Sequence, residues 1–188
     1  MKVSREQVAL NRERIVETAA RLFREKGYDG IGVADLMKSA GLTHGGFYGH
    51  FASKEDLLAE ATAHALKKSV ERWEGYLAED RDAAMEKITD GYLTIKHRDH
   101  PEKGCSVTAL GADIARLGGK ARHAIAEGAV GQMAVLEQLM TGDDAAERRK
   151  QAIATYAAMV GAIVLSRAVD DEALSVEILE AVKQSLTA

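Results

Sequence analysis

The 188-residue sequence predicts an all-α chain of about nine helices. Three observations carry that prediction. Apolar residues recur at helical spacing through most of the length. No run of β-branched residues alternates as a strand would. Gly27, Gly118-Gly119 and Gly142 stand where apolar stripes end.

The first helix is read over Asn11 to Lys26, where Ile15, Ala19, Leu22 and Phe23 form one stripe and Gly27 supplies the stop. Seven of the 17 glycines then crowd residues 27–49, so this stretch must hold short elements joined by tight turns. Val33 to Ser39 reads as a helix of one to two turns. Ala40-Gly41-Leu42 reads as the turn, and Thr43 as the N-cap of a second short helix, His44 to His50. Two short helices around a three-residue turn containing Gly make a helix-turn-helix. Ser53 is the expected cap of a long helix from Lys54 to about Leu77, with Asp56 as the reciprocal acceptor of a capping box. Asp82 to Lys96 follows, then a polar loop His97 to Gly104 with the only proline. Further helices are read over Cys105 to Leu117, Lys120 to Met140, Asp143 to Val169 (expected to be the longest) and Glu172 to Leu186. The chain divides into residues 1–52, a three-helix helix-turn-helix domain, and 53–188, a helical ligand-binding and dimerisation domain.

Composition excludes several classes. One cysteine cannot make an internal disulfide. The first residues lack the apolar core of a signal peptide. The longest uncharged run, Gln151 to Ser166, is 16 residues and falls short of a membrane span, so it reads as a buried or interface helix. A cytoplasmic protein with no membrane partner is expected. The net charge of −4 seems to speak against nucleic acid, but residues 1–26 hold seven Lys and Arg against four Glu, and residues 61–188 hold 16 against 20 acids. The basic end is the end that carries the helix-turn-helix.

Residues 12–58 resemble the DNA-binding module of TetR-family transcriptional regulators. The likeness rests on Arg14-Ile15, Ala19-Ala20, Leu22-Phe23, Gly27-Tyr28, Val33, Ala40-Gly41-Leu42, Thr43, Gly45, Phe47-Tyr48, His50-Phe51, Ser53-Lys54-Glu55 and Leu57-Leu58, at consistent spacing and without a gap. In a helix-turn-helix the second helix enters the major groove and its N-terminal residues meet base edges. That assigns base reading to His44, with Thr43, Gly45 and Gly46 at the DNA surface. The resemblance implies that Tyr48 and Lys54 bond backbone phosphates, with Thr43 and His50 beside them. Phe47 and Phe51 read as packing against Leu22, Phe23 and Leu36. Two departures stand out. Ile31 and Gly32 replace the usual Thr or Ser that caps the second helix, and Leu36-Met37 replaces a common Ile-Ala pair.

The resemblance implies a repressor that binds a palindromic operator as a homodimer and releases it on binding a small-molecule inducer. Symmetry also asks for a dimer, since one reading head makes too few contacts and two half-sites lie one DNA turn apart, roughly 34 Å. Ala157, Val160, Gly161, Val164, Leu174, Ile178 and Val182 on the last two helices are the expected dimer face. Trp73, Tyr76, Tyr92, Cys105, Leu110, Ile125, Met133 and Tyr156 are candidates to line the ligand pocket. Cys105, beside Lys103 at a helix start, is also a candidate electrophile or redox sensor. His97, His100 and Cys105 match no common zinc spacing, so no metal and no cofactor is expected. A cysteine/histidine enzyme finds no catalytic motif here. A helical interaction module without DNA binding would leave Tyr48 and Lys54 unexplained.

Overall fold

The computed structural model describes residues 4–187, and among them every regular element is helical. Nine α-helices and two short 3-10 helices follow in order: α1 Arg5–Lys26, α2 Val33–Ser39, the 3-10 helix His44–Gly49, α3 Lys54–Glu79, α4 Arg81–Tyr92, α5 Ile95–Asp99, the 3-10 turn Pro101–Lys103, α6 Ser106–Leu117, α7 Gly119–Leu139, α8 Ala145–Ala168 and α9 Glu172–Thr187. Lys2 of the basic arm lies outside the described residues.

Side-chain caps set many of the boundaries. Ser4 Oγ accepts from the Gln7 N–H at 3.1 Å, so α1 starts at Arg5, earlier than the apolar stripe alone implies. Its first turns are exposed, Val8 and Leu10 included, and add nothing to the buried stripe that periodicity registers. Ser53 Oγ accepts from Asp56 N–H at 3.1 Å and opens α3. The Asp56 carboxylate does not complete a capping box: it pairs with Lys120 Nζ at 2.7 Å, on α7. Asp80 ends α3 and caps α4 through the N–H groups of Asp82 and Ala83. Gly41 takes φ +70°, the conformation that the turn between α2 and the 3-10 helix requires.

Three other expectations are corrected. The second helix of the helix-turn-helix is 3-10 rather than α, since two adjacent glycines weaken α propensity there. The helix expected over Asp82 to Lys96 stops at Tyr92, and Thr94 caps a new one whose His97 is buried, not in a polar loop. The longest helix is α3, 26 residues against 24 for α8.

Two apolar clusters form. The first joins α1, α2 and the 3-10 helix through Ile15, Phe23, Leu36, Met37, Phe47 and Phe51, and also takes Leu110 and Ile114 of α6. The second lies in the body, around Trp73, Ile88, Tyr92, Leu136, Tyr156, Met159 and Ile163. Helix α3 serves both, through Leu57 and Leu58 at one end and Leu66 and Trp73 further along. It therefore packs into both clusters and ties the head to the body.

Helix α8 is long and apolar enough to cross a membrane by length and mean hydropathy, 1.3 over its best 18 residues. Here it packs against α7 and α9, burying Ala152, Tyr156, Met159 and Ile163, while Ile153, Ala157, Val164 and Leu165 face outward.

Candidate nucleic-acid interface and ligand cavity

The helix-turn-helix presents a clear division of its side chains. Phe47 is fully buried, while Thr43, His44, Gly45 and Tyr48 are exposed and His50 is half-buried. Phe47 and Phe51 pack with their rings tilted by 33° and 5.7 Å between centroids, and hold the 3-10 helix on the first core. Tyr48 is 69% exposed, which packing alone does not reward in so large a side chain. Its ring meets His44 edge-on at 6.5 Å and Phe47 at 5.2 Å, so two of the candidate contacts are braced together. Thr43 stands at the N-cap position but its hydroxyl caps nothing and is left pointing to solvent. Gly32 caps α2 by backbone alone.

Lys54 is held in place. Its Nζ sits 4.1 Å from the centroid of the Tyr28 ring, and the Tyr28 hydroxyl donates to Glu55 at 2.7 Å. That bond keeps the Glu55 carboxyl below its ordinary range. Residues 27–60 carry only two Lys against five acids, so the reading segment is not basic in sequence. Three of those acids are already engaged: Glu55 by Tyr28, Glu60 by Arg12 and Asp56 by Lys120. Sequence counting missed these pairings, because each partner lies at least 27 residues away. Arg12 also lies over Phe51, 4.6 Å from the ring centroid.

Behind the head lies a cavity of about 570 Å³, walled by α1, α3, α4 and the segment from Thr94 to Cys105. Trp73, Tyr76, Tyr92 and Cys105 line it. The other four candidates lie elsewhere: Leu110 in the first core, Ile125 between the two cores, Met133 against the second, and Tyr156 buried within it. Arg24, Arg72 and His97 line the cavity too, and the apolar stripes read from sequence could not find them.

His97 organises the wall. Its Nδ1 bonds the Tyr92 carbonyl at 2.7 Å and its Nε2 accepts from the Cys105 N–H at 2.9 Å. The ring is therefore neutral, with its proton on Nδ1. Burial pushes its pKa down to about 4; the Tyr92 bond opposes this, and the charges of Arg167, Arg72 and Arg24 add to it. Gly104 makes the arrangement possible, since a Cβ there would lie 2.3 Å from His97 Cδ2. Cys105 is buried, with Sγ 3.9 Å from the Tyr156 hydroxyl, which donates to Gln132 at 2.7 Å. Among the described residues no three His, Cys, Asp or Glu side chains gather as a metal site.

Residues 15–61 match the family model of bacterial regulatory proteins of the tetR family. Residues 15–61 therefore carry a DNA-binding module of the TetR type. The chain is 27% identical to the HTH-type transcriptional repressor NemR of Escherichia coli K12, over 69% of its own length and 66% of NemR. It spans less than half the length of the first curated relatives it matches. The fold extends the likeness. The reduced form of E. coli NemR superposes with a TM-score of 0.77 at 24% identity, covering 94% of each chain. A TetR transcriptional regulator from Legionella pneumophila superposes at 0.79 and 20% identity, covering 100% of this chain and 98% of the other. Over residues 15–61 the likeness is to the DNA-binding segment of such regulators, and over the rest of the chain it is one of fold.

Proposed function

We propose that this protein is a cytoplasmic, ligand-responsive repressor that binds a palindromic operator as a homodimer and lets go when a small molecule fills the cavity behind the head. The observation that carries this reading is the solvent-facing set Thr43, His44, Gly45 and Tyr48 on a head whose aromatic anchors are all buried. His44 reads a base edge. Gly45 and Gly46 let the backbone approach the groove, and Thr43, Tyr48, His50 and Lys54 bond phosphates. The head corresponds to residues 1–52 and the ligand-binding and dimerisation part to 53–188. The dimer forms across α8 and α9, where Ala157, Gly161, Val164 and Leu174 meet their copies, flanked by Val160, Ile178 and Val182. Val164 is 44% exposed and Leu174 42%, and burying such a face favours association. Ligand in the cavity stabilises a form whose two heads no longer match the operator spacing, with α3 as the lever.

Selection of bound duplexes from a random library tests the reading. A palindrome with half-sites one turn apart, bound in a salt-dependent way, is the expected result. Equal binding to every duplex, or none at any salt, would mean that the fold serves protein contacts alone.

A second reading follows from Cys105 in the cavity wall: addition of its thiol to an electrophile would fill the cavity covalently. Mass spectrometry after mild N-ethylmaleimide treatment should find one adduct at Cys105 together with operator release. A Cys105→Ala variant that still releases operator under that treatment would remove this reading and leave the first intact.

A further inference from the structure

The charges around the cavity are unbalanced in a way that names its ligand class. Its lining includes Arg24, Lys68, Arg72, Lys96 and Lys103 but only two acids, Glu17 and Asp90. Both acids are already taken: Glu17 by Lys68 at 2.9 Å and Asp90 by Lys183 at 2.7 Å. Among the described residues Arg24, Arg72, Lys96 and Lys103 have no carboxylate partner within ion-pair distance. Arg24 is the most telling of them. Its guanidinium is largely withdrawn from water and is held only by neutral acceptors, the Glu102 carbonyl at 2.7 and 3.2 Å and Ser106 Oγ at 3.5 Å. Burial is the main influence on its pKa and lowers it; Cys105 and Glu102 oppose this and the Arg72 charge adds to it, and among the described residues neither guanidinium has a carboxylate within ion-pair distance. A partly desolvated cation bonded only to neutral acceptors is costly, and a ligand anion would relieve that cost. The same wall holds an orphan donor, since the buried Tyr92 hydroxyl has no hydrogen-bond partner. Trp73 and Tyr76 supply flat apolar surface beside these groups.

We propose that the cavity binds an organic anion with an aromatic body, its acid group against Arg24 and Arg72 and its ring against Trp73 and Tyr76. The inference rests on the ligand-responsive reading above and adds the charge of the ligand to it. It also gives the ligand a direct grip on the head. Arg24 belongs to the last turn of α1, so an anion that draws it from the Glu102 carbonyl acts on the reading module itself.

Trp73 is the only tryptophan and lines the cavity, so its fluorescence reports occupancy of the full-length protein. Three probes of equal shape separate the charge classes: naphthalene-2-carboxylate, its carboxamide and 2-naphthylmethylammonium. The carboxylate should bind roughly tenfold or more tighter than the amide, less tightly as salt rises, and should release operator. Arg72→Gln should bring carboxylate and amide close to parity, and Arg24→Gln should do the same if its fold survives. Lys67→Gln, which removes a charge on the outer face of α3, should change nothing. Equal or better binding of the amide or the ammonium probe overturns the anion assignment. If those probes release operator, the ligand-responsive reading stands without it. No quenching by any of the three overturns the assignment and the cavity reading together, while operator selection judges DNA binding on its own.

Discussion

Lys54 and Tyr28 form a cation–π pair at 4.1 Å, and the pair joins the N-terminus of α3 to the chain just after α1. Lys54 thus reaches the proposed phosphate position already ordered. Lys54→Ala should weaken operator binding across all sequences and reduce the slope of log affinity against log salt by about 1. Tyr28→Phe keeps the ring and should bind operator nearly as well as the parent. Tyr28→Leu removes the platform and should weaken binding by about two- to fivefold. Fluorescence anisotropy on a labelled duplex measures all three; a Tyr28→Leu protein with parental affinity would show that the ring does not position Lys54.

The Gly104–His97 contact predicts a strict size limit. Gly104→Ala places a Cβ 2.3 Å from His97 Cδ2 and 2.4 Å from Nε2, so the ring must move and its bond to the Cys105 N–H must break. A loss of about 2 kcal/mol is expected from overpacking, read by urea denaturation. Retained stability would mean that the wall yields easily.

His97 also predicts a pH dependence. Its folded pKa of about 4 lies below its ordinary 6.5. Between those values the unfolded chain takes up a proton that the folded chain refuses. Stability from this group is therefore complete above about pH 6.5 and lost as pH falls toward 4, by about 3 kcal/mol in all. Denaturation midpoints followed from pH 7 to 4 should fall less steeply in His97→Gln than in the parent.

The α8 face predicts a separation of folding from association. A Cβ at Gly161 meets nothing within 4 Å, so the backbone there accepts a side chain, and Gly161→Leu is expected to leave the protomer folded. At a close helix–helix seam the same side chain obstructs, and the dimer dissociation constant should rise by roughly tenfold or more. Sedimentation equilibrium gives the answer, and unchanged association would move the dimer interface elsewhere.

Much of the head was legible in the sequence. The stripe Ile15, Ala19, Leu22 and Phe23, the glycine-marked turn at Gly41 and the Ser53 cap are local signals, and each has its predicted place in the fold. In the Thr43–Tyr48 stretch Phe47 is buried while Thr43, His44, Gly45 and Tyr48 are exposed, the division that the helix-turn-helix reading assigns. The cavity was legible only in part. Trp73, Tyr76, Tyr92 and Cys105 line it, but Leu110 and Tyr156 are aromatic or apolar for the sake of packing, and nothing local distinguishes the two uses.

By itself the sequence determined what periodicity, caps and turn chemistry can determine: an all-helical chain with a helix-turn-helix at its basic end. The tertiary structure alone decided which charges survive. Glu60, Asp56, Glu17 and Asp90 pair with Arg12, Lys120, Lys68 and Lys183, and Glu55 accepts a hydrogen bond from Tyr28, all partners distant in sequence. Arg24 and Arg72 are left facing a cavity with no acid to match them. The reason is physical. Helix formation is governed by neighbours three and four residues apart, whereas the electrostatics of a site depend on what folding brings within a few ångströms.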